Sequence, residues 1–289
     1  IRGYRHKSLS LDGAIVGWFC LAMLSLVGYK RMGFILIAFF VSSSALTKHG
    51  AKAKKQIDAA YKEGGRRNFV QVLANGGFGT LLCLIHLWYY GVSSSDRPVN
   101  FEEDPFGSWI LTAYIGHYAC TNGDTWSSEI GVLSKSPPRL ITTLKVWFAH
   151  QCIQEVPAGT NGGISAHGTF AAAVSSCAYP LQAGGLLIGV VFYVVGLSTP
   201  SGRTSSWLVS VCFCAHACPA GLVGSLIDSL LGATLQYSGM DSVSHKVVEV
   251  PSGTTTHISG RPVLDNHAVN FVSAVITSIL TGVCCSLIF

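Results

Sequence analysis

Apolar residues fall in long blocks, not in the alternation of a strand or the single stripe of a soluble helix. The blocks cover 14–29, 33–46, 69–91, 106–121, 164–197, 207–236 and 268–289. A hydrocarbon core about 30 Å thick takes about 20 helical residues to cross. Each block therefore predicts a spanning helix, the first two short enough to be tilted or paired as a hairpin. Pro180 and Pro219 interrupt the fifth and sixth blocks, which predicts broken helices there, because proline removes a helical hydrogen bond. No strict period of two runs through the blocks, so a membrane barrel is excluded. The chain reads as an all-α, polytopic transmembrane helical bundle, one integral membrane domain over 1–289 with about seven spans.

Composition supports this reading. Only 11% of the 289 residues are charged and 49% are hydrophobic, against about 25% charged for a soluble domain. That excludes a disordered chain. The 32 glycines show no three-residue period, so collagen is excluded, and the 10 cysteines lie mostly inside apolar blocks, which argues against a disulfide scaffold. The chain opens on Ile1 and is read as a fragment or a processed form, from which a targeting signal could have been removed.

Charge orients the bundle. The stretch 47–68 holds seven basic residues, Lys48, Lys52, Lys54, Lys55, Lys62, Arg66 and Arg67, against Asp58 and Glu63. Positively charged loops stay on the cytoplasmic side, so 47–68 is expected there. The acidic stretch with Asp96, Glu102, Glu103 and Asp104 falls on the opposite side. The loop 122–163 and the polar segment 238–265 then return to the basic side.

Polar residues gather in compact clusters near that side. They are 61–68 with Gln71 and Asn75 beyond it, 121–131, 155–165 and 224–236, with a smaller group at Asp265, Asn266, His267 and Asn270. Asp124 and Asp228 carry the most information. A carboxylate at the edge of an apolar block is costly unless paired, hydrated or metal-bound. Two of them on separate helices suit a shared Mg²⁺, which keeps several waters and bridges phosphates. The plainer reading of each is a helix cap at the interface. Gly159, Thr160, Asn161, Gly162 and Gly163 form a glycine-rich turn expected to enter a helix, where backbone N–H groups and the helix dipole attract phosphate. It lacks the lysine of a P-loop. Arg66 and Arg67 suit bidentate phosphate binding, whereas Lys52, Lys54 and Lys55 read as lipid contacts and topology determinants. The alternation of Cys212, Cys214, His216 and Cys218 matches no zinc spacing. No hydrolase or zinc-protease motif is present, and nucleic-acid binding is not expected from so few basic residues.

Five segments carry a family resemblance: YKEGGRRNFVQVLANGG, HYACTNGDTWSSEIG, VPAGTNGGIS, GSLIDSLLGATLQ and RPVLDNHAVN. They resemble the DUF92 family, in its transmembrane protein 19 branch with the plant PGR relatives, from about residue 36 to the C-terminus. Where that family passes almost directly from its SPRLITT stretch to VPxGTNGG, this chain inserts 144–154. The family includes phytyl-phosphate kinases that use a nucleoside triphosphate such as CTP. It is also similar, distantly, to CTP-dependent dolichol kinases and CDP-diglyceride synthases. The plant PGR branch is instead linked to glucose responses at the plasma membrane.

The resemblance and the residues together predict phosphoryl transfer to a prenyl phosphate lipid at the bilayer surface. In that reading Asp124 and Asp228 hold Mg²⁺ on CTP or another nucleoside triphosphate, with Glu129 as a lesser catalytic candidate. Gly159, Thr160, Asn161, Gly162 and Gly163 cradle phosphate, joined by Asn122, Ser225 and Ser229. Arg66 and Arg67 neutralise the acceptor. Such a transfer needs positioning and charge neutralisation, not a covalent nucleophile. The alternatives are a non-catalytic plasma-membrane regulator of sugar responses and a transporter with a midplane site at its broken helices. A plasma membrane or endomembrane is expected in preference to a plastid.

Overall fold

A computed structural model describes residues 8–17, 30–49, 51, 65–91, 99–134, 136–143, 154–165, 167–169, 184–197 and 207–289. Its helices are α1 (Leu11–Val16), α2 (Lys30–Lys48), α3 (Phe69–Tyr90), α4 (Pro105–Gly131), α5 (Gly184–Leu197), α6 (Trp207–Leu235) and α7 (Asn266–Ile288). Short strands join them: β1 (Arg139–Leu140), β2 (Gly163–Ile164), β3 (Ser238–Asp241), β4 (Val247–Val248) and β5 (Thr255–Ser259). Most of 14–29, Pro180, nearly all of 144–154, and Lys52, Lys54, Lys55 and Lys62 lie outside the described residues.

Helix starts follow local chemistry. Asn68 caps α3 by accepting from Gln71 N at 3.0 Å, and Asp12 accepts from Phe69 N at 3.0 Å. Asp104 caps α4 through Gly107 N at 3.1 Å, with Pro105 opening the helix. Asp265 caps α7 through Ala268 N at 2.7 Å. Each satisfies a donor that the first turn leaves without a partner.

Helix α4 is the hub. It packs against α2, α3, α5, α6 and α7, and Ile110, Ala113, Tyr118, Ala119 and Asn122 are fully buried. The outer helices turn large apolar side chains outward: Phe34, Ile37 and Val41 on α2, Leu73, Leu81, Leu84 and Trp88 on α3, and Phe271, Ile279, Leu280 and Val283 on α7. Apolar faces of this extent belong against lipid. Among the described residues, α2, α3 and α7 are long and apolar enough to cross a membrane, with shorter apolar stretches at Leu187–Leu197 and Pro219–Leu235.

Three expectations change. Helix α4 continues through Asn122, Asp124 and Glu129 to Gly131, so these residues are helical and not part of a loop. Within this stretch Asn122 accepts from Ser42 and Ser43 of α2, and Asp124 from Ser225 of α6, interhelical hydrogen bonds that take the place of water. Helix α6 runs through Pro219 without a break, as membrane helices tolerate when neighbours satisfy the freed carbonyl. The bundle is also not purely helical. Residues 238–259 form an antiparallel sheet in the order β4-β3-β5, with Met240 opposite Val247 and Thr256.

The inserted segment closes at its base. Gln154 N donates to Thr143 Oγ1 at 3.4 Å, and Leu140 N donates to Gln154 O at 3.1 Å.

Candidate functional site

The site begins where small residues let α4 and α6 pack closely. A Cβ on Gly123 would lie 2.8 Å from Gly221 O, and one on Gly224 would lie 2.4 Å from Cys120 Sγ. Small residues let helix backbones approach in this way. Asp124 directly follows the first contact, and Asp228 lies one turn beyond the second. Ser225 Oγ donates to Asp124 Oδ1 at 3.2 Å, so α6 holds the carboxylate of α4. Ser273 Oγ of α7 donates to Asp228 Oδ2 at 2.8 Å. With its amide turned to satisfy both ends, Asn270 donates to Asn266 O at 3.0 Å and to Asp228 Oδ2 at 3.3 Å.

Both carboxylates are half-buried and line one small polar cavity. Asn75 of α3 lines it, with Cys120, Thr121, Asp124 and Thr125 of α4, Asp228 of α6, and Asn270 and Ser273 of α7. The carboxylate, amide and hydroxyl oxygens make a hard donor set that fits Mg²⁺. Among the described residues no three His, Cys, Asp or Glu side chains are placed to hold a metal, so a cation here would rest on two carboxylates and neutral oxygens.

The other predicted residues divide. Asn122 is fully buried and points the opposite way from Asp124, accepting from Ser42 Oγ at 2.9 Å and Ser43 Oγ at 3.2 Å. It ties α4 to α2 and does not line the cavity, because two residues along a helix turn a side chain through about 200°. Arg67 is buried, with Nη1 donating to Ser44 Oγ at 3.0 Å and Nη2 to Thr47 Oγ1 at 3.4 Å. Glu129, half-buried on α4, interacts with the Arg67 charge and lies outside the cavity lining. Arg66 is exposed at the same end.

The glycine turn departs furthest from expectation. Gly163 enters strand β2, paired with β1 as Leu140↔Gly163 and Arg139↔Ile164, and does not open a helix. Three of its amides have internal partners: Thr160 N donates to Pro157 O at 3.2 Å, Asn161 N to Ser238 Oγ at 3.0 Å and Gly163 N to Thr160 O at 3.0 Å. Those three are not presented to a phosphate. Gly162, at φ 75°, lets the turn rest on α6, since a Cβ there would lie 2.3 Å from Ala233 Cβ and 2.6 Å from Ser229 O. Gly159 shares the left-handed backbone, at φ 89°. The turn thus braces α6 just past Asp228, with Ser229 at the contact.

Ser273 and Cys120 were not singled out by the sequence as site residues, and Thr121, Thr125, Asn75 and Asn270 entered only as cluster members. A signal existed for α7: Asn266, Asn270, Ser273 and Thr277 recur at spacings of three and four within an apolar block, which defines one polar helix face.

Fold and site together define an integral membrane protein whose helices bring two carboxylates to one small polar cavity. The chain belongs to the DUF92 family, whose model, described as "Integral membrane protein DUF92", matches residues 1–278. It is similar to Protein PGR of Arabidopsis thaliana, with 42% identity over 288 residues, covering 100% of this chain and 93% of that protein. An uncharacterized membrane protein of Methanocaldococcus jannaschii is 28% identical, over 82% of this chain and 75% of its own length. Protein VTE6, chloroplastic, of Arabidopsis thaliana is 25% identical, over 84% of this chain and 61% of its own length. With a chloroplastic protein among the relatives, the preference against a plastid gains no support. No solved structure matches the chain.

Proposed function

We propose that the chain is a membrane phosphotransferase that moves the terminal phosphoryl group of CTP or another nucleoside triphosphate onto a prenyl-type monophosphate lipid. The observation that carries this reading is the pair of carboxylates, from different helices, facing one oxygen-lined chamber. Asp124 and Asp228 would hold Mg²⁺, which draws negative charge away from the transferring group. Ser225 and Ser273 fix the two carboxylates in place. Arg66, exposed at the same end, attracts the acceptor phosphate. The anionic acceptor needs no general base, and the lipid tail stays in the bilayer against the apolar outer faces. The same reading takes the chain across the bilayer about seven times, with α4, α5 and α6 joining the three long apolar helices.

The test offers CTP, UTP or ATP, with Mg²⁺ and phytyl or geranylgeranyl monophosphate, to the protein purified in detergent. Formation of a lipid diphosphate that disappears with Asp124→Asn or Asp228→Asn is the expected result. Absence of product under every combination, with both variants silent in cells, would sink the proposal.

One observation favours a second reading. Similarity to Protein PGR is higher and covers more of the relative's length than similarity to VTE6. In that reading the protein is a non-catalytic regulator of sugar responses at the plasma membrane. A sugar response in cells that survives both Asp→Asn substitutions separates it from the enzyme.

A further inference from the structure

We propose that the end of α3 and the start of α4 form a docking surface for the choline headgroup of a bilayer phospholipid, seated on the rings of Trp88, Tyr89 and Phe106 beside the carboxylates of Glu102 and Glu103. This surface lies about 27 Å along α4 from Asp124 and does not rest on the phosphotransferase reading.

Leu81, Leu84 and Trp88 recur at spacings of three and four on α3, so one helix face carries them, and all three are exposed. Trp88, 85% exposed, ends this lipid-facing row just before Gly91 closes the helix. Tyr89 is 55% and Phe106 42% exposed, and their rings meet with centroids 4.9 Å apart. Tyr89 also meets Tyr90 edge-on at 4.7 Å. Tyr90 OH donates to the carboxylate of Asp104, the cap of α4, which ties the end of one helix to the start of the next. A span closes where hydrocarbon gives way to headgroups, and Trp and Tyr collect at that level because their rings are apolar with one polar edge.

The adjoining turn supplies the charge. Asn100 Oδ1 accepts from Glu102 N at 3.0 Å and from Glu103 N at 3.3 Å, which fixes the turn that leads into α4. Both glutamates are exposed, and Glu103 stands three residues before Phe106. Asp104 is already engaged by Tyr90 and by Gly107 N, so Glu102 and Glu103 are the carboxylates this turn leaves open. Exposed aromatic faces beside carboxylates attract a cation, and quaternary ammonium groups are bound by such rings. A choline phospholipid carries that group at the level where α3 ends, with its acyl chains alongside Leu84 and Leu81. An anionic headgroup would meet like charge there.

The test adds phosphatidylcholine and phosphatidylglycerol with the same acyl chains, in equal amounts, to the full chain in detergent. Native mass spectrometry counts the lipids retained. Wild type is expected to retain phosphatidylcholine in preference. Trp88→Ala and Tyr89→Ala should each cut that preference about 2- to 5-fold, the scale of one cation–π contact at an exposed site. Trp88→Phe, which keeps an aromatic face, should lose less than Trp88→Ala, and the joint Glu102→Gln and Glu103→Gln variant should also lose preference. Equal retention of the two lipids by wild type overturns the proposal, as does a preference for phosphatidylglycerol. An unchanged preference in both Trp88→Ala and Tyr89→Ala overturns it too, and equal loss in Trp88→Phe and Trp88→Ala overturns the contact with the ring face.

Discussion

The glycine turn at 159–163 and the carboxylate pair at Asp124 and Asp228 are both rich in polar groups, but they use them differently. In the turn, the amides of Thr160, Asn161 and Gly163 are bonded to Pro157, Ser238 and Thr160. At the pair, each carboxylate accepts from a serine on a neighbouring helix and still faces the cavity. Hydrogen-bond accounting, not polarity, separates a brace from a site, because a buried group already partnered has little left to offer a ligand.

The largest effect that sharpens this contrast is expected at the pair. Asp124→Asn and Asp228→Asn should each lower lipid-phosphate phosphorylation by at least about 100-fold, the scale of losing one preorganised electrostatic group, with the folded yield in detergent unchanged. Next comes Gly162→Ala, which meets Ala233 and Ser229 and sits at φ 75°. It should destabilise the protein by about 1–3 kcal/mol, seen as a lower midpoint of thermal unfolding, while turnover per folded molecule stays within about twofold. A collapse of turnover at unchanged stability would give the turn a direct chemical role and break the contrast.

Smaller effects follow. Ser273→Ala removes the donor to Asp228 and should cost about 0.6–1.7 kcal/mol, the range for interhelical hydrogen bonds in membranes. The same unfolding assay measures it. The smallest effect concerns Asp241, outside the membrane, whose carboxyl is held down to about 2 by Ser244 and Thr254. Its folded value lies below the ordinary 3.8, so its support of the β3–β4 turn is present above that value and fades as pH falls toward about 2. Amide hydrogen exchange at Ser244 should accelerate over that window, and Asp241→Asn should abolish the change.

Much of the fold is legible locally. The apolar block at 69–91 is bracketed by Asn68 and Gly91, and α3 occupies it. The extension of α4 is not legible in this way. Asn122 and Asp124 look like loop residues by composition, and their hydrogen bonds to α2 and α6 hold them in the helix. The opposite facing of Asn122 and Asp124 follows from that helix and from nothing in the spacing of a loop. The strand after the glycine turn depends on pairing with Arg139 and Leu140, a contact between residues distant in sequence. Asp124 and Asp228 were legible because carboxylates are rare in apolar surroundings. Asn75 and Ser273 were harder to find because neutral polar residues inside membrane helices most often serve as glue between helices.

The closure of the inserted segment by Thr143 and Gln154 has a practical consequence. Chain spliced in between these residues leaves and re-enters the protein at one point, so its length is decoupled from the geometry of the chamber. A fluorescent reporter or a protease cleavage site placed there would display, in an intact cell, which compartment this end of the bundle faces.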